Sequence, residues 1–278
     1  MKKQDIINLW ASLDIPTDDT LLIIQKIMGI SSKELFLVYD IDDSYIADIK
    51  SAFQQIQSGI PLEYMFGEAE FYGYKFFVNK HTLIPRNDTE ILTQKTIEHI
   101  KSQAENVSLV DVGTGSWCIG ISVYKNLNNK ISHTILIDIS EQALEVTRKN
   151  ITLYWYTKNI DTLSWDLFSP LLREPFSNLV VTANLPYIKD NDFDNIDQSV
   201  IYHEPHSALF GWDQTGFELY EKLVSQLDSV VSESITLFIE IGFDQADIVR
   251  DFCERQKIDF EIYRDNWGVE RCVKMKIR

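Results

Sequence analysis

The sequence predicts an α/β protein in which a doubly wound, mostly parallel sheet follows a small helical domain. From about residue 85 onward, apolar runs of strand length alternate with helical patterns, as in sheets with helices on both faces. Several of these runs end in Gly, Asp or Asn-Pro. Residues 1–58 instead show only helical spacing. A chain of 278 residues is long enough for one larger and one smaller domain.

The domain order follows from these patterns. Residues 1–58 form the predicted helical domain, residues 59–84 a linker with an aromatic-rich hairpin at 66–78, and residues 85–278 the sheet domain. Strands are expected at 108–112, 134–138, 160–163, 178–183, 235–241, 260–263 and 272–277. The helical stripes are Ile6, Ile7, Trp10 and Leu13; Leu21, Ile24, Ile27 and Met28; Leu35, Phe36 and Val38; and Tyr45, Ile46, Ile49, Phe53 and Ile56.

A glycine turn follows the first strand of the predicted sheet. Gly113 and Gly115 allow the backbone to turn tightly and to approach a ligand, and the following helix presents free N–H groups. We therefore interpret the segment as a nucleotide-cofactor loop, although the same turn can serve only to pack a strand against a helix. Its candidate binding residues are Asp111, Gly113, Thr114, Gly115, Ser116 and Trp117.

Carboxylates follow the next two predicted strands. Asp138 ends the second strand, where a ribose diol is usually bound, but it also precedes Ser140 as a helix cap would. Asp166 and Leu167 follow the third strand, where they suit an adenine ring or form a surface turn. These tips would share one edge of the sheet.

The strand at 178–183 leads into Asn184, Leu185, Pro186 and Tyr187. The Asn184 side-chain oxygen and the Leu185 main-chain carbonyl can each accept one hydrogen from a planar –NH2 group. Pro186 fixes the backbone and Tyr187 offers a flat aromatic face. These residues are the predicted catalytic residues and substrate contacts, and Asn184 also faces the cofactor. The alternative is an ordinary strand end with a proline turn.

Composition narrows the class of partner. The formal net charge of −16, without a basic cluster, disfavours binding of nucleic acid. No apolar stretch is long enough for a membrane span, and no signal peptide follows Met1. The three scattered cysteines indicate reduced thiols and a cytoplasmic protein. His203 and His206 are separated by Pro205, so we predict no metal site.

With these loops, the chain resembles the PrmC/HemK family of protein-(glutamine-N5) methyltransferases over residues 56–278. Further matching segments are GIPLEY (59–64), GEAEFYG (67–73), LIPRNDTE (83–90), YHEP (202–205) and LFIEIGFDQ (237–245). The resemblance implies a Rossmann-like class I methyltransferase sheet with an antiparallel edge, and methyl transfer from S-adenosyl-L-methionine to a glutamine of a peptide-chain release factor. It also implies that Arg86 and Glu90 order the substrate pocket and that the helical domain helps bind the release factor.

Other functions fit parts of the pattern. Leu185 replaces the first proline of the family's Asn-Pro-Pro-Tyr motif, and Asn-Leu-Pro-Tyr resembles N6-adenine methyltransferases acting on rRNA or DNA. A ribosomal-protein glutamine methyltransferase, a nicotinamide-dependent oxidoreductase and a catalytically dead paralogue that binds release factors remain alternatives. We expect a release factor as partner, no direct contact with nucleic acid or membrane, and a monomer.

Tryptophan occupies positions that are glycine-like in the resembling family. They are Trp117, Trp155, Trp165 and Trp212, four of the six tryptophans. Because glycine provides backbone freedom and tryptophan the bulkiest side chain, we hypothesise a stop codon that one genetic code reads as glycine and another as tryptophan. Trp117 in the cofactor loop must turn toward the helix, because otherwise it would crowd the methionine end of the cofactor.

Overall fold

The computed structural model describes residues 1–155, 158–189, 192, 196–211 and 215–278. The chain divides into two compact units, Met1–Gly67 and Glu68–Arg278. This division falls inside the predicted linker at 59–84 and assigns the hairpin to the second unit.

The first unit is helical. Its helices are α1 (Lys3–Ala11), α2 (Thr17–Met28), α3 (Ser32–Leu37), α4 (Asp43–Gln57) and α5 (Leu62–Phe66). Ser31 caps α3 through a capping box with Glu34, and Asp42 caps α4 by accepting from the Ser44 N–H. Most stripe residues pack into one apolar cluster. Ile7, Leu13 and Phe36 are not part of it; Ile7 is half-buried, and the side chains of Leu13 and Phe36 are exposed.

The second unit begins with the predicted hairpin and continues into a seven-stranded sheet. Strands β1 (Glu68–Phe71) and β2 (Tyr74–Phe77) pair antiparallel. The sheet has the order β5-β4-β3-β6-β7-β9-β8, and β9 runs antiparallel to both of its neighbours. Its strands are β3 (Val107–Val112), β4 (Ile131–Asp138), β5 (Ile160–Ser164), β6 (Phe176–Ala183), β7 (Ser232–Glu240), β8 (Asp259–Arg264) and β9 (Glu270–Lys276). The predicted doubly wound sheet and antiparallel edge are confirmed.

Helices accompany this sheet. They are α6 (Glu90–Ser102), α7 (Cys118–Leu127), α8 (Glu141–Leu153), α9 (Gln198–His203), α10 (His206–Leu209), α11 (Glu218–Asp228) and α12 (Ala246–Gln256), and short 3-10 turns occupy Asn87–Thr89 and Ser169–Leu171. Successive strand residues join two different apolar clusters; Val110 belongs to one, for example, and Leu109 to the other. Both faces of the inner strands are therefore buried, which explains their nearly continuous apolar sequences.

The strand order places the chain's switch point between β3 and β6. From β3 the chain proceeds outward to β4 and β5, then returns to β6 on the other side of β3. Val112 pairs with Ala183 at the ends of the two strands, so the residues that follow each strand emerge side by side. In open α/β sheets, ligands bind in the crevice at this point.

Candidate active site

A cavity of about 400 Å³ opens at this edge of the sheet. Its volume is within the range of small-molecule sites. Residues from the loops after β3, β4, β5 and β6 all line it, so the structure brings the predicted loop tips together. The predicted site residues among its lining are Arg86, Gly113, Thr114, Gly115, Ser116, Asp138, Asp166, Leu167, Asn184, Leu185 and Pro186.

The glycine turn contacts the β6 tip directly. Gly113 has a φ of +69°, and a Cβ built there would lie 2.9 Å from Leu185 Cδ2. A side chain at this position would thus be strained and would collide with its neighbour. Gly115 also has a positive φ, of +54°, but the space beside its Cα is open. Residues 184 and 185 therefore adjoin the turn with no intervening core.

Asp111 does not line the cavity, but it supports the glycine turn through hydrogen bonds. Its buried carboxylate accepts hydrogen bonds from the Thr114 hydroxyl at 2.7 Å and the Thr182 hydroxyl at 2.6 Å. Burial raises its pKa to about 6, although the two hydroxyls oppose this rise. Its contacts link the turn to β6.

Asp138 lies at the cavity and also shapes the glycine turn. Its carboxylate oxygens accept from the Gly115 N–H and the Ser140 N–H, each at 2.9 Å. Burial raises the pKa of Asp138, while these backbone hydrogen bonds lower it. Because a carboxylate has about four lone-pair sites, it can still accept from a diol.

Asp166 and Leu167, which follow β5, also line the cavity. Asp166 forms an ion pair with Lys222 at 2.5 Å, so the carboxylate is held by a residue of α11. Leu167 is buried with a φ of +52°. Trp165, which the sequence analysis treated only as a glycine-like position, also lines this cavity.

The β6 tip is held by hydrogen bonds that leave acceptors available. Asn184 Nδ2 donates to Thr89 Oγ1 at 3.3 Å, and no described hydrogen bond engages Asn184 Oδ1. The Leu185 N–H donates to Tyr220 Oη at 2.9 Å. The Tyr220 hydroxyl donates to the Glu240 main-chain carbonyl at 2.6 Å, much closer than the Leu185 carbonyl at 3.4 Å. Since this hydroxyl has one hydrogen, the Leu185 carbonyl keeps its acceptor capacity.

Tyr187 turns its hydroxyl toward β7. The hydroxyl donates to Glu240 Oε1 at 3.1 Å, and burial beside this carboxyl raises the pKa of Tyr187. Tyr187 is not among the residues that line the cavity. Its predicted contact with a substrate amide plane stays a prediction.

Arg86 and Glu90 have different surroundings. Arg86 lines the cavity and forms an ion pair with the buried Glu204, which also accepts from the Ile84 N–H at 3.2 Å. Glu90 does not line the cavity; its carboxylate accepts from the Tyr72 N–H at 2.9 Å. Arg86 thus borders the pocket, whereas Glu90 anchors the turn of the hairpin.

Two tryptophans have backbone conformations that favour glycine. Trp117 has a φ of +64° and Trp155 a φ of +58°, values that bulky residues rarely adopt. Trp117 is fully buried, its indole N–H has no hydrogen-bond partner, and a Cβ at Gly120 would lie 1.9 Å from its Nε1. The ring therefore packs on α7 and does not line the cavity. Trp165 does not share the left-handed conformation, and Trp212 lies outside the described residues.

Three residues of the site were missed as functional candidates. Thr89 lies within the quoted 83–90 segment and lines the cavity. Tyr220 occurs in an ordinary amphipathic helix, and Glu240 ends an apolar strand. For Glu240, the sequence signal that could have pointed to a role is an acidic residue within an apolar strand. Among the described residues, no group of His, Cys, Asp or Glu is arranged to hold a metal ion, and none of the described helices is both long and apolar enough to cross a bilayer.

Solved structures similar to this chain are methyltransferases. One is the hMettl16 catalytic domain, solved in complex with MAT2A 3'UTR hairpin 6, with a TM-score of 0.53 and 10% identity, covering 86% of this chain and 84% of that chain. Another is the human methyltransferase 10 domain containing protein, with a TM-score of 0.51 and 11% identity, covering 74% and 90%. Together with the sheet order, this similarity shows that the chain has a Rossmann-like fold of the methyltransferase type.

Sequence relatives narrow the class to a family. A release factor glutamine methyltransferase of Francisella tularensis subsp. tularensis is 30% identical over 95% of this chain and 92% of the relative. The same enzyme of Flavobacterium psychrophilum is 30% identical over 86% of this chain and 83% of the relative. That of Mycoplasma mycoides subsp. mycoides is 34% identical over 76% of each chain. No protein-family model matches. The chain belongs to the release factor glutamine methyltransferase family.

Proposed function

We propose that this protein transfers a methyl group from S-adenosyl-L-methionine to the side-chain amide nitrogen of a glutamine in a peptide-chain release factor. One observation carries the mechanism. The Asn184 side chain and the Leu185 carbonyl retain acceptor capacity at a cavity that the glycine turn also lines. Family membership supports the choice of substrate.

The cavity suits the cofactor. The turn leaves open space beside Gly115, where a backbone without side chains can contact the methionine part. Asp138 would bind the ribose, and Asp166 with Leu167 would border the adenine. Trp117 does not obstruct this space, because its ring packs against α7. When bound, S-adenosylmethionine supplies a methyl group activated by a sulfonium centre.

Asn184 and Leu185 would activate the substrate nitrogen by accepting its two hydrogens. An amide nitrogen is a weak nucleophile because its lone pair is delocalised into the carbonyl. Two fixed acceptors stabilise the positive charge that develops on this nitrogen during transfer. Pro186 holds the turn, and positioning by the preformed tip contributes further to the rate. No general base is required beforehand, since the proton can leave to water after transfer.

The net charge of the protein and an exposed apolar surface on its helical unit both support a release factor as the partner. A net charge of −16 repels nucleic acid and favours a basic protein partner. In the helical unit, the side chains of Phe36, Leu37 and Tyr39 are 83%, 81% and 68% exposed, and we assign release-factor recognition to this unit. All three cysteines are free and buried, which suits a monomer working in the reducing cytoplasm.

Labelled methyl transfer tests the proposal directly. The protein is incubated with methyl-labelled cofactor and with a purified release factor, a ribosomal protein or ribosomal RNA in separate reactions. We expect the label on one glutamine of the release factor. Label on adenine or on the ribosomal protein would reject the proposed substrate.

Asn184→Ala tests the clamp itself. The variant should lose at least about 100-fold in turnover, the scale of removing one preorganised transition-state contact, while calorimetry shows nearly unchanged cofactor binding. Asn178→Ala is the matched control, because Asn178 lies at the opposite end of β6 and bonds to Ser234. Equal loss of cofactor binding and transfer in Asn184→Ala would contradict the assignment.

A further inference from the structure

Two buried side chains of α8 contact the glycine turn without lining the cavity. Thr147 and Asn150 lie one helical turn apart, and they bond to the main-chain carbonyls of Gly115 and Ser116. We propose that Thr147 and Asn150 are positioning residues that hold the glycine turn in the conformation that binds the cofactor. This inference rests on the proposed function, since it concerns the same S-adenosylmethionine site.

Thr147 fixes the carbonyl of Gly115. Its hydroxyl donates to this oxygen at 2.8 Å, closer than the Ala143 carbonyl of its own helix at 3.2 Å. Since a hydroxyl has one hydrogen, the shorter bond to Gly115 is the stronger one. The Gly115 N–H donates to Asp138 at 2.9 Å. Both polar backbone groups of this glycine are therefore held, one by the end of β4 and the other by α8.

Asn150 fixes the next carbonyl of the turn and joins it to the hairpin. Its Nδ2 donates to the Ser116 carbonyl at 2.8 Å and to the Phe77 carbonyl at 3.0 Å. Its Oδ1 accepts from the Phe77 N–H at 2.7 Å. The side-chain amide thus pairs with β2 as a neighbouring strand would, and its second N–H is left for the turn. Asn150 is fully buried, so these bonds do not compete with water.

The glycine turn depends on such bonds because packing cannot hold it. Gly113 and Gly115 both have left-handed φ values, and glycine has more conformational freedom to lose than any other residue. Nothing lies within 4 Å of a Cβ built at Gly115. A side chain that filled this space would block the proposed position of the methionine part of the cofactor. Hydrogen bonds from Thr147 and Asn150 restrain the backbone and leave the space open.

Cofactor affinity depends on how often the turn holds this conformation. The apparent affinity of a ligand falls with the fraction of molecules that are in the binding conformation. Removing a bond from α8 should lower this fraction, although neither side chain lines the cavity. The clamp at Asn184 and Leu185 keeps its own bonds to Thr89 and Tyr220. The expected signature is therefore weaker cofactor binding and not a loss of the clamp.

Thr147→Val tests the bond to Gly115, because valine keeps the shape of the side chain and removes the hydroxyl. We expect the dissociation constant for S-adenosylmethionine to rise by about 3- to 10-fold in calorimetry, the range of one lost hydrogen bond. Thr147→Ser restores the hydroxyl and should return the constant to within about twofold of the parent protein.

Thr152→Val is the matched control on the same helix. The exposed Thr152 hydroxyl donates to the Arg148 carbonyl at 2.9 Å, one turn back in α8. This variant therefore loses the same kind of bond within the helix but no bond to the glycine turn, and cofactor affinity should stay at the parent value. Equal dissociation constants for Thr147→Val and Thr152→Val would overturn the proposal.

Asn150→Ala removes the link between the turn and the hairpin. We expect cofactor affinity to fall at least as much as in Thr147→Val, because two backbone carbonyls lose their donor. The hairpin keeps a second attachment to α8, the hydrogen bond from the Tyr154 hydroxyl to the Lys75 carbonyl. KM for the cofactor should therefore rise by a larger factor than kcat falls. A lower kcat with an unchanged KM for the cofactor would contradict the inference, since it would indicate a loss of folded protein.

Amide exchange without cofactor distinguishes this inference from the proposed function. The Gly115 N–H should exchange with solvent faster in Thr147→Val than in the parent protein or in Thr152→Val, as measured by NMR. If the parent protein binds S-adenosylmethionine and shows this difference but methylates no release factor, only the proposed function fails. Equal exchange in all three proteins would reject the positioning role, whether or not methyl transfer occurs.

Discussion

Replacing Trp155 by glycine should stabilise this protein. Helix α8 ends at Leu153, Tyr154 is its C-cap, and Trp155 follows with a φ of +58°. Its N–H bonds to the Thr152 carbonyl at 3.1 Å. Glycine is strongly preferred at this position after a helix because it adopts the left-handed conformation without strain.

The expected gain in the free energy of unfolding is the sum of three contributions. The left-handed conformation costs a residue with a Cβ about 1–2 kcal/mol, and glycine avoids this cost. The more flexible unfolded chain of the glycine variant offsets about 0.5–1 kcal/mol of that gain. The Trp155 side chain contributes little packing, since the residue is 86% exposed. The net effect is a gain of about 0.5–1 kcal/mol, or a rise in melting temperature of about 1–3 °C at this chain length.

Thermal unfolding of three variants would measure this effect. Trp155→Ala keeps a Cβ and should not share the gain. Trp165→Gly should lose about 0.5–1 kcal/mol, because Trp165 does not have a left-handed backbone. An unchanged or lower melting temperature for Trp155→Gly, or equal values for the alanine and glycine variants, would refute the reasoning. The related hypothesis, that the native host inserts glycine at these positions, is decided by intact mass, and a mass matching tryptophan would reject it.

Three further substitutions test the site. Gly113→Ala should weaken cofactor binding at least about tenfold by calorimetry, and more than Gly115→Ala, because only the Gly113 Cβ would meet Leu185, at 2.9 Å. Tyr220→Phe should lower the free energy of unfolding by about 1–3 kcal/mol in urea titrations, since it leaves the buried Leu185 N–H unpaired; full stability would contradict this. The pKa of Asp111 rises from 3.8 to about 6 on folding. Between these pH values the folded protein therefore retains a proton that the unfolded chain releases. The contribution of Asp111 to the free energy of unfolding consequently falls by about 3 kcal/mol as the pH rises from 3.8 to about 6. Asp111→Asn should remove that decline; an identical pH dependence in both proteins would show that Asp111 is not its source.

The sheet was predictable because its strands are apolar on both faces and end in turn-forming residues. The predicted strand at 178–183 corresponds to Phe176–Ala183, and the one at 134–138 to Ile131–Asp138. The differences lie at the strand starts, which include polar residues such as Ser132 and Ser177. Backbone pairing does not need apolar side chains there, so hydropathy cannot mark these starts.

The supporting residues of the site were less predictable. Loop tips such as Gly113 and Asn184 can be read from the sequence because each follows its strand directly. The role of Tyr220 depends instead on the approach of α11 to the ends of β6 and β7, which bring its hydroxyl to Leu185 and Glu240. Contacts between segments this distant in the chain follow from tertiary packing, and no local pattern records them.

The bridge formed by the Tyr220 hydroxyl has a consequence for recognition. It accepts the Leu185 N–H and donates to the Glu240 carbonyl, so the β6 tip is already closed before a partner arrives. Ordering a free loop would cost about 1–2 kcal/mol per residue. Here the conformational entropy of the β6 tip is already lost during folding. A glutamine side chain can therefore dock onto a rigid surface.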